Sequence, residues 1–331
     1  MVFDTDPLRG AMEAEKPPVA LRIRLPVLGV PVSFETAAPI VRDAVEAALG
    51  AWRLLEHRPE LVSPPAGVLP SVRLRLGRDD GGGAGEIAIA SPAPGRVELN
   101  GAGVHGWADA ATLTAACTIS PAVLRDRSQF DELVLGSLVL NLIAHADRQP
   151  LHAAGVRRGR HTLLLHGRSG AGKSTLAYAA LRSGWDVLSD DAVYLQSRPV
   201  LRVWARAARL HLPSESARWF PELADRPLVR RQNGKWKIPV EPAAAWPGAL
   251  RPAEHPILCL LERGTGEPDV RTVDAAFAIR AVLLSLDAGF DVFRETIAPV
   301  LRVLVGERAW VVRTAPDPWR TLALLEQLVG A

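Results

Sequence analysis

Three groups of residues in this 331-residue chain have the types and spacing for chemistry on a phosphate. The first runs from Gly167 to Ser174 and satisfies G-x-x-x-x-G-K-S, with Thr175 following. Glycines let such a loop curl so that successive N–H groups point inward at phosphate oxygens. A helix starting behind the loop adds partial positive charge. In that pattern Lys173 lies against the β- and γ-phosphates, and the Ser174 hydroxyl ligates Mg²⁺. The expected nucleotide-binding residues are therefore Gly167, Ser169, Gly170, Ala171, Gly172, Lys173, Ser174 and Thr175, with ATP and Mg²⁺ as cofactors.

The second group is Asp190-Asp191, which begins 17 residues beyond Lys173. A helix, a turn and a strand fill that gap. The strand ending in "VLSDD" is expected to run beside the loop strand and to bring both carboxylates to the γ-phosphate. One carboxylate can hold Mg²⁺, and the other can accept a proton from an attacking hydroxyl. The third is His152, which precedes Gly167 by 15 residues. One strand–turn–strand unit separates them, so His152 can fold back beside the aspartates.

The elements that must position these residues are legible from periodicity and breakers. "HTLLLHG" reads as a short buried strand before the loop. "KSTLAYAALRSG" reads as the helix after it, stopped at Gly184. "WDVLSDDAVYLQ" reads as a returning strand, "RVWARAARLHL" alternates, and "NGKWKIPV" is a turn and a strand. "ILCLLE" reads as a central strand, Leu283–Val305 as mostly helical, and "AWVVRTA" as a last strand. Asp317 and Pro318 cap a final helix. Ahead of the loop, Val19–Glu35 suggests a strand pair. Val41, Val45 and Leu49 share one side of a helix. "SVRLRLGR", "EIAIAS", "RVELN" and "ATLTAACTIS" suggest further strands, with "DDGGGAGE" as a turn. A helix over Arg127–Ala146 closes this part, its Leu133–Ala144 run buried at the junction. The resulting division is a flexible tail over 1–18, an α+β unit over 19–130 and a phosphate-loop unit over 131–331. The first unit is a candidate for acceptor recognition.

An apolar fraction of 48% with 23% charged residues is an ordinary globular composition. The net charge is only +3, with no dense Lys/Arg run, which argues against a nucleic-acid partner. The two cysteines sit in apolar contexts without metal-ligand spacing and read as buried thiols. The N-terminus lacks an apolar stretch of signal-peptide type, and the run Leu133–Ala144 is too short for a bilayer. No membrane partner and a cytoplasmic location are expected.

The coincidence of "LHAAGV", "GRSGAGKST" and "GWDVLSDD" resembles the catalytic domain of the HPr kinase/phosphorylase family. It is closer still to the HPr-kinase-like kinases encoded with lasso-peptide and other peptide-modification genes. The resemblance is clear over Leu151–Leu195. It implies an α/β fold, the P-loop domain of the HPr kinase / phosphoenolpyruvate carboxykinase type. It also implies a peptide or protein substrate with an acceptor Ser/Thr, and it admits a homo-oligomer. It makes Lys173 and Ser174 the loop lysine and the Mg²⁺-binding serine. Asp190 becomes the base for the acceptor hydroxyl, Asp191 its metal-side neighbour, and His152 a histidine beside the catalytic aspartate. A downstream basic residue normally completes such a site. The candidates are Arg209, Arg230, Arg231 and Lys235, with Lys235 of "NGKWKIP" first. The family's Glu-Ile-Arg-Gly-Leu-Gly segment is missing. "RAARLHLPSESARWFPEL" stands there, with Glu215 in the same general place. Neither HPr as substrate nor the reverse phosphorylase activity is therefore implied.

Two other classes use such a loop. Small-molecule kinases of the shikimate or gluconate type also place an aspartate soon after it. They are usually much shorter, lack 150 residues ahead of the loop and carry an Arg-rich lid. A regulatory or motor-type ATPase is the other class. An ABC-type enzyme needs LSGGQ and a GTPase needs N-K-x-D, and the chain has neither.

Overall fold

The computed structural model describes residues 20–65, 67–78, 85–206, 210–231, 234–240, 250–287, 289–306 and 308–330. The proposed tail, most of the "DDGGGAGE" turn and Arg209 lie outside them. The fold is mixed α/β with four sheets among the described residues.

The first sheet has seven strands, all from the N-terminal part. In spatial order they are Leu21–Val27, Val30–Thr36, Ser71–Leu76, Thr114–Ile119, Val104–Asp109, Arg96–Gly101 and Ile87–Ala93. The first two form a tight hairpin in which Val27 faces Val30. The helix Pro39–Leu49 buries Val41, Val45 and Leu49, the side its periodicity marks out. The expected helix over Arg127–Ala146 is wound in pieces. Gln129–Leu135 takes wide π turns, and Gly136–His145 is α-helical. Phe130, Val134, Leu138, Leu142 and Ile143 from these pieces pack into the first sheet's core. That core runs past the boundary expected at residue 130. Arg148 is fully buried beyond the helix, where Nε donates to the Leu28 carbonyl at 2.8 Å and Nη2 to Ser63 Oγ at 2.9 Å. Its guanidinium also lies over Trp204, which ties the N-terminal hairpin to the following segment.

The second sheet holds the phosphate loop. Its order is Asp186–Ser189, Ala153–Arg158, His161–His166, Pro256–Arg263, Arg308–Thr314 and Asp269–Asp274. His161–His166 and Pro256–Arg263 are central and parallel, and they read as continuous apolar runs because both faces are covered. On one face lie the loop helix Lys173–Arg182 and the last helix Pro318–Gly330. On the other lie Ala275–Leu284 and Arg294–Val305. The loop helix ends at Gly184, where the Trp185 N–H closes on the Ala180 carbonyl at 2.9 Å. Asp317 Oδ1 accepts the Trp319 N–H at 2.9 Å and caps the last helix. Cys117 and Cys259 are buried free thiols. No helix among the described residues is long and apolar enough to cross a membrane.

Two expectations need correction. The aspartate strand does not lie beside the loop strand, because Ala153–Arg158 intervenes and pairs antiparallel with both. "WDVLSDDAVYLQ" is not one strand. Its second half, Val193–Gln196, joins Gln149–Leu151 and Arg202–Trp204 in a separate three-stranded sheet. The segment Leu283–Val305 is mostly helical, as expected, but in more than one piece. Asp274 Oδ1 caps an earlier helix start by accepting the Phe277 N–H at 2.7 Å, and a turn separates Ala275–Leu284 from Arg294–Val305.

Candidate active site

Every expected site residue except Gly167 lines one cavity of about 840 Å³. That is the size range of small-molecule sites. Gly167 has a steric duty instead. A Cβ there would stand 3.0 Å from the Leu261 carbonyl oxygen and from the Ala171 Cβ, a tight fit that would make these neighbours give way. Gly170 and Gly172 have φ of +88° and +97°, the left-handed region that disfavours a side chain. Gly172 is the N-cap of the loop helix. The first-turn N–H groups of that helix have no intrahelical acceptor and point out of its end, as anion binding requires.

Lys173 is buried, and its Nζ donates to the Gly167 carbonyl at 2.5 Å. Burial pushes its ammonium pKa down, against the opposing pull of Asp287 and Asp191. Thr175 Oγ1 lies 3.1 Å from Ser216 Oγ, joining the helix start to the turn Ser214–Arg218. Ser169 Oγ accepts from Lys235 Nζ at 2.6 Å. Lys235 therefore sits over the loop.

The two aspartates part company at the end of their strand. Ser189 Oγ accepts the N–H groups of Asp191 and Ala192, each at 3.2 Å, and this turns the chain. Asp190 points inward and is only 5% exposed. It accepts the Ser174 hydroxyl and, at Oδ2, the His211 N–H at 3.0 Å. Burial pushes its carboxyl up to about 6, the charge of Asp191 adds to this, and those two hydrogen bonds oppose it.

The Asp191 side chain is 70% exposed, and its Oδ1 lies 3.3 Å from His152 Nδ1. That contact lacks hydrogen-bond geometry, and the buried Nδ1 has no hydrogen-bond partner among the described residues. His152 Nε2 stands 3.3 Å from Asp287 Oδ2, and its ring packs on Phe290 at 5.2 Å between centroids. Burial lowers the His152 pKa, and Lys173 adds to the effect, while Asp191 and Asp287 work against it. His166, at the end of the loop strand, braces the group from below. Its Nδ1 pairs with the His152 carbonyl at 2.9 Å and its Nε2 with Ser285 Oγ at 2.8 Å. Burial pushes His166 down to about 4, so it is neutral near pH 7.

The carboxylate beside the magnesium-type serine is Asp190, and the accessible one beside the histidine is Asp191. No group of three or more His, Cys, Asp or Glu among the described residues is placed to hold a metal alone. Mg²⁺ with a nucleotide takes one or two carboxylates and a hydroxyl together with phosphate oxygens and water. The hard oxygen pair of Ser174 and Asp190 fits that donor set.

Sequence reasoning missed four members of the site. Lys237, half-buried, also lines the cavity. Its pKa is lowered by burial and by Lys235, against the opposing pull of Asp190, Glu215 and Asp191. Strand alternation in K-W-K puts Lys237 on the same face as Lys235, a signal that was available. His211, Asp287 and Phe290 belong to no motif. Of the basic candidates, Arg231 lines the cavity and bonds Glu132, whereas Arg230 is exposed outside it.

No family model matches the chain, and no curated protein does. Solved structures do match it. One is the Hpr(Ser) kinase/phosphatase from Coxiella burnetii, at 15% identity and a TM-score of 0.28, over 55% of this chain and 94% of that one.

Proposed function

We propose that the chain is an ATP-dependent phosphotransferase that delivers the γ-phosphoryl group to a serine or threonine hydroxyl of a peptide or protein. The observation that carries this is the shared cavity. A phosphate loop, a buried carboxylate bonded to the loop serine and an exposed carboxylate beside a histidine all line it. The loop N–H groups and Lys173 bind the phosphates. Lys235, bonded to Ser169 of the loop, and Lys237 offset their charge. Ser174 and Asp190 hold Mg²⁺, which neutralises charge on the phosphates when bound. Asp191, rather than Asp190, accepts the acceptor hydroxyl's proton at its exposed carboxylate oxygens. Asp190 is too buried to meet an acceptor and already takes two hydrogen bonds. His152 borders Asp191 and tunes it.

Within this class the acceptor is a ribosomally made peptide of the lasso type, and the catalytic part has the architecture of HPr kinase and phosphoenolpyruvate carboxykinase. The three motif segments of residues 151–191 support both statements. The seven-stranded N-terminal unit serves acceptor recognition. The chain works in the cytoplasm without nucleic acid or membrane and is compatible with homo-oligomers. Incubation with ATP, Mg²⁺ and a serine-containing candidate peptide is expected to add ~80 Da per phosphate, read by mass spectrometry. Phosphorylation of shikimate or gluconate with none on peptides would instead favour a small-molecule kinase.

A further inference from the structure

Asp190 is held partly by a backbone group. The strand Leu210–Pro213 lies at the edge of a small sheet whose centre is Trp236–Val240 and whose other strand is Val229–Arg230. Its His211 faces Pro239 across the pair. On an edge strand alternate N–H groups point away from the partner strand, and that of His211 points outward to Asp190 Oδ2 at 3.0 Å. The placement of that N–H thus depends on what holds the strand edge.

Arg231 provides a holding contact. Its Nη1 lies 3.1 Å from His211 Nε2. A guanidinium has only donors, so Nε2 is the acceptor. The same Nη1 donates to Glu132 Oε2 at 2.9 Å. Glu132 lies in the π-wound turn Gln129–Leu135, flanked by Phe130, Val134 and Leu135, which are anchored in the first sheet's core. A single line of contacts runs from the N-terminal core through Glu132, Arg231 and His211 to Asp190.

We propose that Arg231 and Glu132 are positioning residues that set the His211 N–H against Asp190, so that the N-terminal unit is part of the phosphotransfer site rather than an appended module. Arg231 then acts through His211 and does not contact the nucleotide. The inference rests on the proposed role of Asp190 at the metal side.

The test compares Arg231→Met, Arg231→Lys and Glu132→Gln with wild type by calorimetry of ATP binding, with and without Mg²⁺. Met at 231 and Gln at 132 are expected to reduce the gain in affinity from Mg²⁺ roughly tenfold, the scale of one charge-assisted hydrogen bond. Metal-free affinity should stay within about twofold, because the loop N–H groups and Lys173 are untouched. Lys at 231 keeps donors and should retain most of the gain. An unchanged gain in Arg231→Met overturns the proposal. An equal fall without Mg²⁺ also overturns it, by making Arg231 a phosphate ligand. Loss in Arg231→Met with none in Glu132→Gln removes the N-terminal unit from the site. Exchange of the His211 amide proton, followed by NMR without nucleotide, tests the positioning alone. It should quicken about tenfold in Arg231→Met and Glu132→Gln, the same order as the lost contact, and unchanged exchange refutes the link. Failure of wild type to bind ATP at all would refute the phosphate-loop assignment instead, and the exchange measurement would still decide the positioning.

Discussion

Replacing Asp190 by asparagine should make the chain more stable and less able to use Mg²⁺. Asp190 is 5% exposed, and its carboxyl is pushed from the ordinary 3.8 up to about 6, first by burial and then by Asp191. The folded chain therefore binds this proton more tightly than the unfolded chain does. The stability from protonated Asp190 is complete below about pH 3.8 and is lost as pH rises through about 6. That gap corresponds to at most ~3 kcal/mol of strain stored near pH 7.5. Asparagine has nearly the same shape and keeps an oxygen for the His211 N–H and the Ser174 hydroxyl, but it has no charge to bury. Asp190→Asn should thus be ~1–3 kcal/mol more stable than wild type at pH 7.5, with the difference shrinking to ~0.5 kcal/mol by pH 4. Urea denaturation at both pH values measures it. A variant less stable than wild type at pH 7.5, or a difference independent of pH, would refute the claim that burial governs this carboxyl. In the same variant Mg²⁺ should no longer raise ATP affinity, the trade-off expected where a site stores strain.

Two further outcomes concern the neighbours. Asp191→Asn should cut turnover about 10²–10⁴-fold, the usual cost of losing a general base, with Mg·ATP affinity nearly intact in calorimetry. Wild-type turnover would return the base role to Asp190 or to another group. Lys173→Ala should abolish measurable ATP affinity while leaving the denaturation midpoint close to wild type, because the buried ammonium is itself costly to desolvate. Equal ATP affinity in the two proteins would show that the loop is not the nucleotide site.

The strand, glycine loop and helix of His161–Arg182 were legible in the sequence because what specifies them is local. Backbone N–H groups, the required glycines and the helix N-terminus all fall within eight consecutive residues, and no distant contact is needed to specify them. The caps at Gly184 and Asp317 and the apolar face of Pro39–Leu49 were legible for the same reason. The aspartate pair was visible as a pair, but which of the two is buried was not. Ser189 turns one carboxylate inward to Ser174 and the other outward to His152, and neighbouring residues of identical type carry no sign of which way each will face. Adjacency in sequence also suggested adjacency in the sheet, whereas a third strand enters between the loop strand and the aspartate strand. Asp287, His211 and Phe290 reach the site from turns and an edge strand far along the chain. What assembles them is long-range packing, namely His166 against Ser285, Pro239 opposite His211 and Glu132 on Arg231. Local propensity sets the glycine loop and the helix behind it. Only the tertiary structure decides which carboxylate is buried and which is exposed, because that depends on strands and turns brought together from far along the chain.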